Sequence, residues 1–347
     1  MYKENKISVA MATYNGEKYI KEQIDSIIHQ TVEVDEIVIS DDGSIDQTVA
    51  IIKEYVNNAS KLSIVLLTNN PDHGISGNFS WAIGHTTGDF IFICGQDDVW
   101  MPDKVQKVVD VFIDYPFAEF VCHNLCCVDQ NGDLLSEQKI NSIFLRHEMY
   151  TGEVIKANRM DYLSAAISSV LISGPAACIS KSLAQKCLPI PTKVPEDWWL
   201  QFCAVADDCA YYIHLTLTKY RIHDSSTHSA GMSFCKHLRK TVQTIKSANN
   251  RSDMLFNFSN NASRYLEATL KDEEIPDTAN WTLKRVKDIG SKVFEAQNSG
   301  RIKGTYLLVK LYFTDVRYKR IGLKNFLTQL AHIIIYGKDS SETLFEL

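Results

Sequence analysis

No stretch of this 347-residue sequence is apolar enough to cross a bilayer. Its longest uncharged segment, Tyr162 to Ser180, carries five serines and a central Gly174-Pro175, well short of about 20 continuous apolar residues. That segment reads as a buried strand with a turn. There is no GxGxxG fingerprint and no glycine-rich lysine loop, which sets aside nicotinamide oxidoreductases and nucleotide hydrolases. Nor is there a long basic run interleaved with aromatics, and 36 Lys and Arg stand against 42 Asp and Glu for a net charge of -6. Nucleic acid is therefore excluded as the default partner. With only 16 Gly and 8 Pro, low complexity and collagen-like repeats have no support. Residues 1–8 lack the apolar core of a signal peptide, and the nine cysteines are an odd number scattered through apolar stretches; both features predict a reducing, cytoplasmic setting. Cys122-x3-Cys126-Cys127 has no second pair at zinc-finger spacing.

What is present is a chain 45% hydrophobic, long enough to bury roughly three quarters of its extended surface without metal or disulfide staples. The charge is divided: residues 1–230 hold 17 basic and 30 acidic side chains, and residues 231–347 hold 19 basic and 12 acidic. The expected organisation is accordingly a first domain over 1–230 and a helical, basic C-terminal region over 231–347. In the first, Ile7 to Met11, Glu36 to Ser40, Leu62 to Leu67 and Asp89 to Cys94 are apolar runs of strand length. Helix-period segments separate them, the first with Ile20, Ile24 and Ile27 or Ile28 on one face. Ser44-Ile45-Asp46-Gln47 reads as a cap opening the second helix. Such alternation predicts an α/β domain, a Rossmann-like, mostly parallel sheet with helices on both faces. Further strands are expected over Phe117 to Val128 and Tyr211 to Leu217, with residues 134–160 as a flap or linker.

Parallel sheets of this kind place ligands beyond the carboxyl ends of their strands. Thr13 to Asn15, Asp41-Asp42 and Asp97-Asp98 each follow a strand and would converge on one crevice. Asp41 and Asp42 suit either a turn and helix cap or acceptance of hydrogen bonds from a base or ribose. Asp97 and Asp98 suit either a solvated loop or the hard-oxygen coordination of Mg²⁺ or Mn²⁺ holding a diphosphate. Asp197, after Pro189, Pro191 and Pro195, suits either a negative helix cap or a base for a sugar hydroxyl beside the indoles of Trp198 and Trp199. Arg221 and His223 end the last strand, as local partners of an acid or as contacts to phosphate, metal or acceptor.

Taken together, Lys6-Ile7-Ser8-Val9-Ala10-Met11-Ala12-Thr13-Tyr14-Asn15-Gly16, Ser26-x3-Gln30, Asp41-Asp42-Gly43-Ser44-x-Asp46, Gln96-Asp97-Asp98-x-Trp100-x-Pro102-x-Lys104 and Asp197-Trp198-Trp199-Leu200 resemble the family 2, GT-A-fold inverting glycosyltransferases. The variety most resembled is the bacterial rhamnosyltransferase-like group of surface-polysaccharide assembly, over roughly residues 5–230. The resemblance implies transfer of a sugar from a nucleotide diphosphate sugar, dTDP-rhamnose or a UDP-hexose, to a glycan or lipid-linked acceptor. It implies Thr13, Asn15 and Glu17 by the nucleotide, Asp41 or Asp42 at base and ribose, and Asn78 facing the donor. It further implies Asp97, helped by Asp98, at a Mg or Mn cation, Asp197 as the general base, and Arg221 and His223 at phosphate or acceptor. The sequence departs from the family at Gly95, where relatives carry the first aspartate of the DxD element. That departure gives an alternative: a catalytically weakened sugar-nucleotide or glycan-binding scaffold. A nucleotidyltransferase, which would release diphosphate, is a lesser one.

Residues 301–324 hold Arg301, Lys303, Lys310, Arg317, Lys319, Arg320 and Lys324 against Asp315, interspersed with Tyr306, Leu307, Leu308, Leu311, Tyr312 and Phe313. Such a segment fits peripheral contact with the inner face of the plasma membrane, where lipid-linked acceptors lie. It fits equally well against the first domain or against a second subunit in a homo-oligomer.

Overall fold

The structure, a computed structural model, describes residues 5–58, 61–136, 152–168, 171, 173–223, 257–270 and 274–298. The chain divides into two compact units, Met1–Ser229 with Tyr265–Ala279, and Ala230–Arg264 with Asn280–Leu347. The basic segment 301–324 lies outside the described residues, as does 137–151 of the expected flap.

The first unit opens with β1 (Ile7–Thr13), α1 (Ile20–Ile28), β2 (Glu36–Asp41), α2 (Thr48–Asn58), β3 (Ser63–Leu67), α3 (Ile75–Gly84) and β4 (Phe90–Cys94). The strands form where the apolar runs are, because parallel strands of this kind are buried on both faces; β2 is buried along its whole length. On α1, Ile20, Ile24 and Ile27 are fully buried, each contributing about 1.5–3 kcal/mol by leaving water. Ser44 does not cap α2: Asp46 does, its Oδ1 accepting the Thr48 N–H at 2.9 Å.

The chain continues through β5 (Val99–Trp100), α4 (Lys104–Asp114), β6 (Phe120–Val128), β7 (Leu134–Ser136), β8 (Val154–Lys156), α5 (Arg159–Ser168), a 3₁₀ turn (Gly174–Ala176), β9 (Ala177–Ser180), α6 (Lys181–Cys187), α7 (Glu196–Ala206) and β10 (Ala210–Arg221). The sheet order is β3-β2-β1-β4-β9-β6-β10-β5, with β7 on β6 and β8 on β10. Strands β1 to β4 pair in parallel, as do β6 and β10. Strand β9 enters antiparallel between β4 and β6, so the sheet is mixed in its second half. The expected strand within Tyr162 to Ser180 is corrected at its beginning, where residues 162–168 are the end of α5. Leu163, Ala166 and Ile167 are its buried residues, a three-to-four-residue spacing that makes a helical face. Cys122, Cys126 and Cys127 lie buried on β6. Among the described residues, no helix is long and apolar enough to cross a membrane. Later in the chain, α8 runs from Asp277 to Asn298.

Candidate active site

The parallel register sets Met11 beside Cys94 and Thr13 beside Asp41, so the polar residues that follow β1, β2 and β4 emerge on one edge. Asp41 and Asp42 part company there, as successive residues of an extended chain must. Asp41 is 2% exposed and builds the edge. It accepts from the Thr13 hydroxyl at 2.9 Å and from the N–H groups of Gly43 and Ser44 at 3.1 and 2.8 Å. Asp42 turns the other way and takes His73 Nδ1 at 2.7 Å and the Gly74 N–H at 2.9 Å. Asn15, at φ 49°, receives the Ile45 N–H on Oδ1 at 2.9 Å, and Glu17 receives the Gln47 N–H at 2.8 Å. Asn78 on α3 is buried and donates to the Thr13 carbonyl at 3.1 Å. The residues expected around a nucleotide therefore lace the loops after β1 and β2 together, with Asn78 bracing them from α3.

After β4, Gln96 holds the loop following β1 by a pair of bonds, accepting from the Tyr14 N–H at 2.8 Å and donating to its carbonyl at 3.0 Å. Asp97 and Asp98 also separate. The Asp97 carboxylate meets His223 Nε2 at 2.8 Å. Asp98 is 1% exposed, its Oδ1 accepting the Arg221 N–H at 3.0 Å, while its Oδ2 has no hydrogen-bond partner among the described residues. A Cβ at Gly95 would lie 3.3 Å from Asp97 Oδ1 and 3.5 Å from Asp98 Oδ2, so an aspartate there would bring a third carboxylate beside these two. The buried guanidinium of Arg221 pairs with Glu22 at 2.7 Å and donates to the Asp97 carbonyl at 2.9 Å. It also reaches the carbonyls of Asp129 and Gln130. The Tyr19 ring packs against both, 4.8 Å from the His223 ring and 4.8 Å from the guanidinium carbon. Asn15, Lys18, Tyr19, Gln96, Gln130 and His223 line a cavity of about 210 Å³ at this edge.

Asp197 stands in the first turn of α7, where the proline-spaced loop delivers it. Its Oδ2 accepts the Gly174 N–H at 3.3 Å. A Cβ at Gly174 would lie 3.6 Å from Asp197 Cβ, 3.8 Å from Ile93 on β4 and 3.0 Å from Glu196 Oε1, so the absent side chain lets the turn wedge between β4 and α7. The convergence shows at Tyr220, whose phenol is held above its usual range first by burial and then by the charges of Asp98, Asp97 and Asp197. Glu196, buried beside Asp197, is pushed up to about 8 by burial and by that neighbouring charge. Trp198 and Trp199 are buried, their indoles donating to the carbonyls of Ala166 and Cys187, and so hold α7 in place rather than walling the crevice.

In the sequence Asp197 carries an expected role, whereas Glu196, Glu22, Gln96 and Tyr220 carry none. The Glu196-Asp197 doublet at a helix start was the only signal for the first of these, and nothing local marks a partner like Glu22, 199 positions from Arg221. Lys104 appears in the motif with no role, yet a lysine on the apolar face of α4 beside Val105, Val108 and Phe112 is itself a signal.

The mixed α/β sheet, with polar loops at the carboxyl ends of β1, β2 and β4 and a carboxylate brought in by α7, has the GT-A fold. Residues 8–174, just under half of the chain, match the family model described as glycosyl transferase family 2. The chain is 27% identical over 247 residues to the uncharacterized glycosyltransferase alr2836 of Nostoc sp. (strain PCC 7120 / SAG 25.82 / UTEX 2576), covering 66% of this chain and 68% of that one. To the dTDP-rhamnosyl transferase RfbG of Shigella flexneri it is 37% identical over 106 residues, 30% of this chain and 37% of the relative. Among solved structures, S. aureus TarS 1-349 in complex with UDP-GlcNAc superposes with a TM-score of 0.52 at 19% identity, covering 94% of this chain and 90% of that one, a likeness of fold.

Proposed function

We propose that this glycosyltransferase moves a sugar, with inversion at its anomeric carbon, from a nucleotide diphosphate sugar to a hydroxyl of a glycan or lipid-linked acceptor in surface-polysaccharide assembly. The observation that carries the reading is that Gly174, whose N–H holds Asp197, sits against Ile93 of β4, the strand that leads into the Asp97-Asp98 loop, although Asp98 and Asp197 are 99 positions apart. The partial likeness to RfbG supports dTDP-rhamnose as the donor, with UDP-hexoses next.

The Asp97 carboxylate, 2.8 Å from His223 Nε2, is the group that would hold a Mg²⁺ or Mn²⁺ ion, which is commonly bound by one or two carboxylates with phosphates and water completing its shell; no cluster of three metal-ligating side chains occurs among the described residues. Such an ion supplies positive charge to the leaving diphosphate. Asp98, buried behind with one oxygen accepting the Arg221 N–H, supports the loop, and burial and the Asp97 charge hold its carboxyl well above the usual carboxylate range. Asp197 accepts the acceptor's proton as its oxygen attacks the anomeric carbon and the bond to the phosphate oxygen breaks, releasing a nucleoside diphosphate. The Gly174 N–H keeps the carboxylate turned, and a neutral Glu196 leaves it the only charge at the start of α7.

A donor panel of dTDP-rhamnose, UDP-glucose and UDP-GlcNAc, scored by melting shift with and without Mn²⁺, tests donor and metal together, because a ligand that binds the native state raises apparent stability. A larger shift with Mn²⁺ for one donor is the expected result; equal shifts with and without the ion overturn the metal assignment. The scaffold alternative, favoured by Gly95, predicts donor binding without transfer to any glycan.

A further inference from the structure

The ammonium of Lys104 is fully buried. It donates to the Pro175 carbonyl at 2.8 Å and to the Thr218 hydroxyl at 3.0 Å, and it lies 3.9 Å from the centre of the Trp100 ring. The Thr218 hydroxyl itself reaches the same Pro175 carbonyl at 3.3 Å. A buried charge is a weak source of stability, because loss of hydration offsets most of what its partners return. Burial pulls this ammonium down to about 8. What the three contacts do is join segments. Pro175 follows Gly174, whose N–H holds Asp197. Thr218 pairs with Trp100 across β5 and β10 and stands three residues before Arg221, whose own N–H holds Asp98. Lys104 begins the helix that follows the Asp97-Asp98 loop.

We infer that Lys104 is a positioning residue for the transfer reaction, tying the turn that carries the hydrogen bond to Asp197 to the strand that ends at Arg221 and leads into His223, and so setting the separation between base and donor. The inference rests on the glycosyltransferase reading for its chemistry and on the contacts above for its geometry. Nothing in it requires Lys104 to touch substrate.

Lys104→Met keeps most of the volume and removes the ammonium. The full-length variant is expected to keep its donor KM, measured on whichever panel donor the wild type turns over, within about threefold. Its kcat is expected to fall about tenfold to a hundredfold, the scale of a small misplacement at a reacting centre. The ratio of sugar transferred to acceptor over sugar lost to water should fall with it, whereas a variant that is merely less folded loses both reactions in proportion. Hydrogen exchange at the Gly174 amide should quicken about tenfold as the turn loosens. An unchanged transfer ratio, or unchanged protection of Gly174, overturns the inference. If Lys104→Met does not fold, Thr218→Val decides by the same two readouts, with smaller changes of the same sign supporting the inference and no change overturning it. A wild type that turns over no panel donor overturns the glycosyltransferase reading instead, and exchange at Gly174 then still decides whether Lys104 holds the turn.

Discussion

At Glu196 the physical chemistry of a single buried carboxyl yields a signed expectation. Burial and the charge of Asp197 raise it from the ordinary carboxylate range to about 8. Between those values the folded protein keeps a proton that the unfolded chain has released. Stability contributed by the neutral form is therefore present in full at low pH and lost as pH rises through about 8. Glu196→Gln should flatten that decline and leave the variant more stable than wild type above pH 8, as read from urea midpoints across the range; an unchanged slope contradicts it. Gly174→Ala tests the same corner by crowding, since its Cβ would press on Glu196 Oε1 at 3.0 Å. A fall in kcat of about tenfold with donor KM retained is expected, and an unaltered kcat would show that the turn tolerates the displacement. Residue by residue, the site was half legible. That polar doublets should follow apolar strands could be seen at Asp41-Asp42 and Asp97-Asp98. Which member of each doublet faces in depends on the register of neighbouring strands, and no local spacing announces that Asp41 and Asp98 are the buried ones.

Among the elements, β2 shows how a strand start is stitched to its surroundings. Glu36 accepts from the Ser8 hydroxyl and from both the N–H and the hydroxyl of Thr87, and pairs with Lys6 at 3.3 Å. Burial opposes its ionisation, but these bonds and the lysine charge outweigh that and hold the carboxyl below its ordinary value. A lowered carboxyl stabilises the fold above the unfolded value and ceases to do so as pH falls through the folded one. Stability should accordingly fall as pH drops below the ordinary carboxylate range. In Glu36→Gln the part of that drop due to this group disappears, and equal acid sensitivity in wild type and variant would contradict the assignment. Strands β1 to β4 were readable because each apolar run is closed by a polar loop and followed by a helical period. After β6 the sequence is only partly legible: a strand over Tyr211 to Leu217 and a helix start at Asp197 are expected and found, whereas β8 and α5 are not expected. Strand β9 is four residues long and runs against its neighbours, and α5 mixes serine and alanine so evenly that its face is defined only by what it packs on.

The molecule as a whole combines an acidic N-terminal part with a basic C-terminal one, which suits a negatively charged donor drawn to a cation site while the tail rests on an anionic surface. That arrangement is a proposal with a direct check. The full chain should sediment with phosphatidylserine vesicles at low salt and be released as salt rises, and failure to sediment at low salt contradicts it. The central claim is narrower: one edge of the first domain carries out sugar transfer, with Asp197 as its base. The most direct test is single-turnover transfer from the best panel donor by wild type and Asp197→Asn, with donor binding measured on both. The account predicts a product of inverted anomeric configuration and a variant that binds donor as the wild type does yet transfers about a hundredfold to ten-thousandfold more slowly. A variant that transfers at the wild-type rate would contradict it.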